Sequence, residues 1–272
     1  MELSLLLYSA IYPAVSAGLI FLLTKRAGIA AAAAFGIAWF FEMSWSWPEF
    51  PPTDSKSALG LPVLLAGVVA LVPRARLPLL LGPAFLMAFY VMSSQRAVTP
   101  AVIGSVVITA GATLAYLLAK RRPGGAVPFA WMSGLGIAAI LFPLLKYAAA
   151  GQMLGSMSAA FGAMFVVAAW RKTSVADGAL PMAVALYGVL ANAHLFLYPE
   201  PLPLSAAILL GIAPLAAWIG ELRWFREKPW WMDWGARASA VAVIAIVGVA
   251  LALQAMPEPE PESEEESNPY YD

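Results

Sequence analysis

Long apolar runs alternate with short basic interruptions along this chain. Lys25-Arg26, Arg74-Arg76, Lys120-Arg121-Arg122, Arg171-Lys172 and Arg223-Arg226-Lys228 recur at near-equal intervals. About 45 to 50 residues separate neighbouring clusters, room for two apolar helices of ~20 residues and a turn. Each interval therefore reads as a hairpin that leaves one membrane face and returns to it. The pattern predicts helices at roughly 3–24, 27–47, 58–73, 77–94, 98–119, 126–147, 151–170, 178–198, 202–222 and 234–255. That is an all-α integral membrane protein, a bundle of about ten transmembrane helices forming one domain over residues 1–256. Strands are excluded, because such runs are about twice the length of a tilted barrel strand and lack sustained alternation.

The basic residues also orient the bundle. Of the 16 Lys and Arg, 13 fall in or beside the loops of one face, and only Lys56, Arg96 and Lys146 fall to the other. The richer face is expected to be cytoplasmic, which puts both termini outside. The first run, Leu3 to Thr24, has its bases after it and none before, the reverse of a secretory signal, so it is expected to stay attached. Short loops place the chain in the inner (plasma) membrane of a bacterium as a multi-pass protein. Trp45, Trp47, Phe50 and Tyr198 mark the outer interface, and Trp170, Trp224, Trp230, Trp231 and Trp234 the inner one. The segment Glu221 to Trp234 is expected to lie along the inner headgroups before the last helix begins.

Composition agrees: 61% hydrophobic and 12% charged residues, with mean hydropathy +0.78, exceed what a water-soluble fold can bury. The formal charge of zero hides two unlike regions, since seven of the 16 acids lie in residues 257–272. That Pro/Glu-rich end is expected to be a disordered, solvated tail, and the rest of the chain carries an excess of base. With 0 cysteines, disulfides, thiolate metal sites and cysteine nucleophiles are excluded.

Internal prolines hint at a duplication. Pro13 and Pro143 are 130 residues apart, Pro83 and Pro214 are 131 apart, and Leu77-Pro78-Leu79 with Gly82-Pro83 reads like Leu202-Pro203-Leu204 with Gly211 and Pro214. Two five-helix halves would be inverted with respect to one another, the arrangement in which broken helices build a transport site. The same prolines are also accounted for by the tolerance of membrane helices for them. In helix number and five-plus-five layout the chain resembles the drug/metabolite transporters, which implies a ten-helix exporter. The resemblance is of architecture alone, carries no motif, and departs from that group in the expected side of the termini.

Ionisable groups inside the spans are few and lie toward the outer face. Glu42 is ~24 Å along its span from the inner end; His194, Asn192, Lys146, Arg96 and Gln152 lie near the same level. If those helix faces converge they form an outward-facing polar vestibule, with Glu42 and Lys146 as a charged pair and Asn192, His194 and Arg96 as further solute-binding groups. The plainer alternative is snorkelling to headgroups and a packed histidine. Ser105, Thr109, Thr113 and Tyr116 share one helical stripe, which suits a path or, equally, back-bonding to helix carbonyls. Gly151, Gly155 and Ala159 form a small-residue face suited to close packing, within the chain or against another membrane protein.

Enzyme chemistry is poorly supplied. A single histidine excludes bis-histidine haem and His-x-x-x-His zinc, and neither a Gly-x-Ser-x-Gly elbow nor a phosphate-cradling glycine loop occurs. No catalytic residue, cofactor, metal or nucleic-acid partner is expected. Two functions lead, a secondary transporter or permease for a small solute and a non-catalytic subunit or scaffold of a larger membrane complex, with an intramembrane enzyme a distant third.

Overall fold

The computed structural model describes residues 3–46, 55–70, 98–196, 201–226 and 229–256. These residues are helical throughout, joined by short turns, with no strand among them. The helices are α1 (Leu3–Thr24), α2 (Ala27–Glu42), α3 (Ser55–Val69), α4 (Val98–Arg121), α5 (Ala126–Leu144), α6 (Ala148–Arg171), α7 (Ala179–Phe196), α8 (Leu204–Glu221) and α9 (Trp230–Gln254). The expected span at 77–94 and the acidic tail at 257–272 lie outside the described residues. Among the described residues six stretches are long and apolar enough to cross a bilayer: Leu3–Thr24, Ala126–Leu144, Ala148–Arg171, Ala176–His194, Leu204–Glu221 and Trp230–Gln254.

The surface is what a lipid environment requires. Large aliphatic side chains point outward (Leu19 and Leu23 on α1, Ile140 on α5, Val166 on α6, Ile246 on α9), while alanines fill much of the interior. In water such a surface would be an aggregation site; in lipid it is solvated, and helix association falls to close packing of small residues. Gly60 illustrates this, because a Cβ there would meet the indole of Trp39, which is fully buried on α2. Gly151 lies against Pro143 and the Ala139 carbonyl of α5, and Gly155 also faces Ala139. The small-residue face of α6 is thus engaged at these positions within the chain.

Prolines shape three helices in different ways. Ahead of Pro13, residues Leu7–Ile11 form one wider π-type turn, which makes room where the ring would otherwise crowd the preceding carbonyl. Pro143 stands one residue before the end of α5, which stops at Leu144 and is closed by left-handed Lys146, with the Tyr147 amide returning to the Phe142 carbonyl (2.8 Å), so the expected span to 147 is cut short. In α8, α-helical Leu204–Ile212 becomes a 3-10 helix over Ala213–Glu221, with Pro214 at the start of the tighter stretch. Nine residues of 3-10 helix is unusually long. α9 begins at Trp230, directly after Pro229, so the last residues of the Trp-rich segment, Trp230 to Trp234, belong to that helix.

The described basic loops gather at one end of the bundle, tied by hydrogen bonds between turns distant in sequence, while the loop of Arg74 and Arg76 lies outside the described residues. Arg171 Nη1 donates to the Leu22 carbonyl (3.1 Å), the Gly124 amide to the Thr173 carbonyl (2.9 Å), Ser174 Oγ to the Ala119 carbonyl (2.8 Å), and the Gly28 amide to Asp177 Oδ2 (3.2 Å). α3 finishes at this end too, with Ala70 against Gly28, while α4 starts at the opposite end. Leu3 and Met256 consequently share the opposite end. α1 and α6 each terminate on a lysine in the left-handed conformation, Lys25 (φ 58°) and Lys172 (φ 52°). In the interior α6 is central, touching α1, α2, α5 and α7; α3 packs on α7, and α9 lies along α5 and α8.

Candidate functional site

At the end opposite the basic loops the structure separates the predicted residues as much as it joins them. Glu42 is the last residue of α2 and is half-buried. His194 is half-buried near the end of α7, and its Nδ1 lies 2.7 Å from the Leu202 carbonyl oxygen, which makes Nδ1 the donor and leaves Nε2 for other partners. The Leu202 amide returns a bond to the Ala193 carbonyl (3.0 Å), closing the turn into α8. Asn192 is buried, but its amide donates back to the Gly188 carbonyl of its own helix (2.8 Å).

Lys146 does not reach this group. It is exposed in a left-handed turn (φ 58°) just beyond α5, whose main neighbours are α6, α8 and α9; α2 and α7, which carry Glu42 and His194, touch each other and lie beyond α6. Glu42 and Lys146 therefore form no ion pair. Arg96 lies outside the described residues. The hydroxyl stripe of α4 behaves as a helix-bonded one at Thr113, whose Oγ1 donates to the Thr109 carbonyl (2.7 Å).

The densest charged cluster is at the basic end, and the sequence reading did not single it out. Arg237, in the second turn of α9, is fully buried. Its Nε donates to Asp233 Oδ1 (2.9 Å) one turn earlier, Nη1 to the Ala217 carbonyl (2.7 Å), and Nη2 to Glu221 Oε1 (2.9 Å). Glu221 Oε1 also accepts from Arg122 Nε (2.6 Å), just past the end of α4. One carboxylate oxygen thus bridges two guanidinium groups and fastens α4, α8 and α9 together. Two acids balance two bases, which is the condition for burying a guanidinium at all. Room for it comes from Gly220, where a Cβ would run into the Arg237 guanidinium. Beside the cluster, the Arg121 guanidinium covers the Trp218 ring at 5.2 Å.

A second constraint sits midway along α8. In the tighter register the partner of the Gly211 carbonyl would be the amide of residue 214, and Pro214 has none. The hydroxyl of Tyr187 on α7 donates to that carbonyl instead (2.9 Å). Among the described residues no three His, Cys, Asp or Glu side chains gather within metal-binding reach.

The fold and these sites define a helical, multi-pass membrane protein. Compared with known protein families, with curated proteins and with solved structures, the chain matches none.

Proposed function

We propose that this protein is a secondary transporter or permease for a small solute, set in the bacterial inner membrane with both termini outside. The observation that carries the reading is the break in α8, where α-helix gives way to 3-10 helix at Ala213 and a hydroxyl from α7 takes the freed carbonyl. A helix that changes register mid-span, bonded sideways at the change, is suited to bend during alternating access. The solute meets Glu42 and His194 from the outer side, with Asn192 behind them and Lys146 at the rim. Packing of α2 on α6 and of α3 on α7 is what a dyad between two inverted halves requires, and favours that arrangement; α9 lies along α5 while α4 packs on α7, so the halves are not exact copies.

Uptake into proteoliposomes tests this, with Glu42→Gln and Lys146→Met beside the unaltered protein. Solute entry above that of empty vesicles, reduced by Glu42→Gln more than by Lys146→Met, supports the reading. No excess entry over a broad solute panel removes it. A stable assembly with foreign chains after mild detergent extraction would then favour a scaffold subunit.

A further inference from the structure

We propose that the junction of α1 and α6 at the basic end is a binding site for an anionic phospholipid, its headgroup held by Lys25, Arg171 and Lys172 and its acyl chains lying on Leu23, Val166 and Trp170. The Arg171 bond to the Leu22 carbonyl places the end of α6 directly beside the end of α1, which brings the residues that close the two helices, Lys25, Arg171 and Lys172, to one junction. Gly18 of α1 faces Ala163 of α6, and this close approach holds the helices together below that point. Lys25, Arg171 and Lys172 are all exposed.

Charge complementarity favours a negative headgroup. The described carboxylates at this end are Asp177, Glu221 and Asp233, and all three are engaged elsewhere: Asp177 with the Gly28 amide, the other two with Arg122 and Arg237. None forms an ion pair with Lys25, Arg171 or Lys172. Apolar surface for the rest of the ligand is close in the chain, since Leu23, two residues before Lys25, is 80% exposed and Trp170, next to Arg171, is 73% exposed. The Arg171 guanidinium also lies 5.2 Å from the Trp170 ring, so that cation is held at the end of α6. Cationic recesses between helices are recognised settings for anionic headgroups.

The test uses the full-length protein, stripped of lipid in detergent and titrated separately with phosphatidylglycerol and phosphatidylcholine. Melting temperature is followed, and bound lipid is counted by native mass spectrometry. Phosphatidylglycerol is expected to bind selectively and to raise the melting temperature, and raised salt is expected to weaken it. Each cation beside an anionic group contributes roughly fivefold, so Lys25→Gln/Lys172→Gln should bind about 25-fold more weakly, and adding Arg171→Gln should bring the loss to about 100-fold. Lys120→Gln/Arg223→Gln, altering cations at the same end, should change binding little. Equal affinity for the two lipids overturns the proposal. So does an equal loss in the Lys120/Arg223 variant, which would show a diffuse basic surface in place of a site.

Discussion

Arg237→Ala should be among the most damaging single substitutions outside the apolar core. It removes three hydrogen bonds, two of them to carboxylates, from a fully buried guanidinium. Breaking a buried ion pair from one side costs about 3 to 5 kcal/mol. The lower figure applies, because the Asp233 and Glu221 side chains retain 17% and 13% exposure and Glu221 keeps Arg122. Arg223→Ala, at an exposed position nearby, should stay within about 0.5 kcal/mol. Gly220 makes the argument sharper: Gly220→Ala in the native background pushes a methyl into the guanidinium and should destabilise by about 1 to 3 kcal/mol. In the Arg237→Ala background the same methyl enters vacated space and should be nearly neutral. Equilibrium unfolding in mixed detergent micelles, run on the four proteins of this cycle, should therefore show a coupling of at least ~1 kcal/mol. Additive effects would mean that the guanidinium does not rest on that backbone.

Three further outcomes follow from contacts described above. Tyr187→Phe should lower stability by about 1 to 3 kcal/mol by leaving the Gly211 carbonyl unpaired, and if α8 bends during transport it should also change the uptake rate; an unaltered melting temperature would refute the hydrogen bond. Asp177→Ala should cost about 0.5 to 2 kcal/mol, as the loss of a carboxylate from a helix N-terminus does, and Asp177→Asn should recover part of it in the same unfolding assay. Because the chain has 0 cysteines, single substitutions report sidedness cleanly: Lys25→Cys, Lys120→Cys and Lys172→Cys should share one labelling pattern toward an impermeant maleimide, and Lys146→Cys should show the opposite one. A mixed pattern among the first three would break the topology.

Hydropathy made the helices legible because lipid leaves so little choice: a run of ~20 apolar residues must satisfy its backbone internally. The described helices fall where the runs do, and the errors are local ones of termination. A left-handed turn at Lys146 closes α5 early, and α9 starts after Pro229, four residues sooner than expected. The polar residues were harder to read. Whether Asn192 and His194 face a solute depends on whether a nearby carbonyl already holds them, and spacing does not reveal the Gly188 and Leu202 partners. By position alone Arg237 is only one of the 13 bases in or beside the loops of one face. The signal that could have revealed it was present: Asp233 and Arg237 stand one turn apart, and Glu221 with Gly220 closes an otherwise apolar span. Recognising the group required knowing that α8 and α9 meet at that level.

Backbone physics would put glycine at the two left-handed positions that end α1 and α6, since any side chain there adds about 1 kcal/mol of crowding. Lysine occupies both. Exchange for glycine would relax the turn and simultaneously erase a charge that tells the insertion machinery which way the chain faces. Improving local geometry and preserving topological information are opposed demands at these positions, and a stabilised version of this protein designed on conformational grounds alone would gain rigidity while weakening its own instructions for insertion.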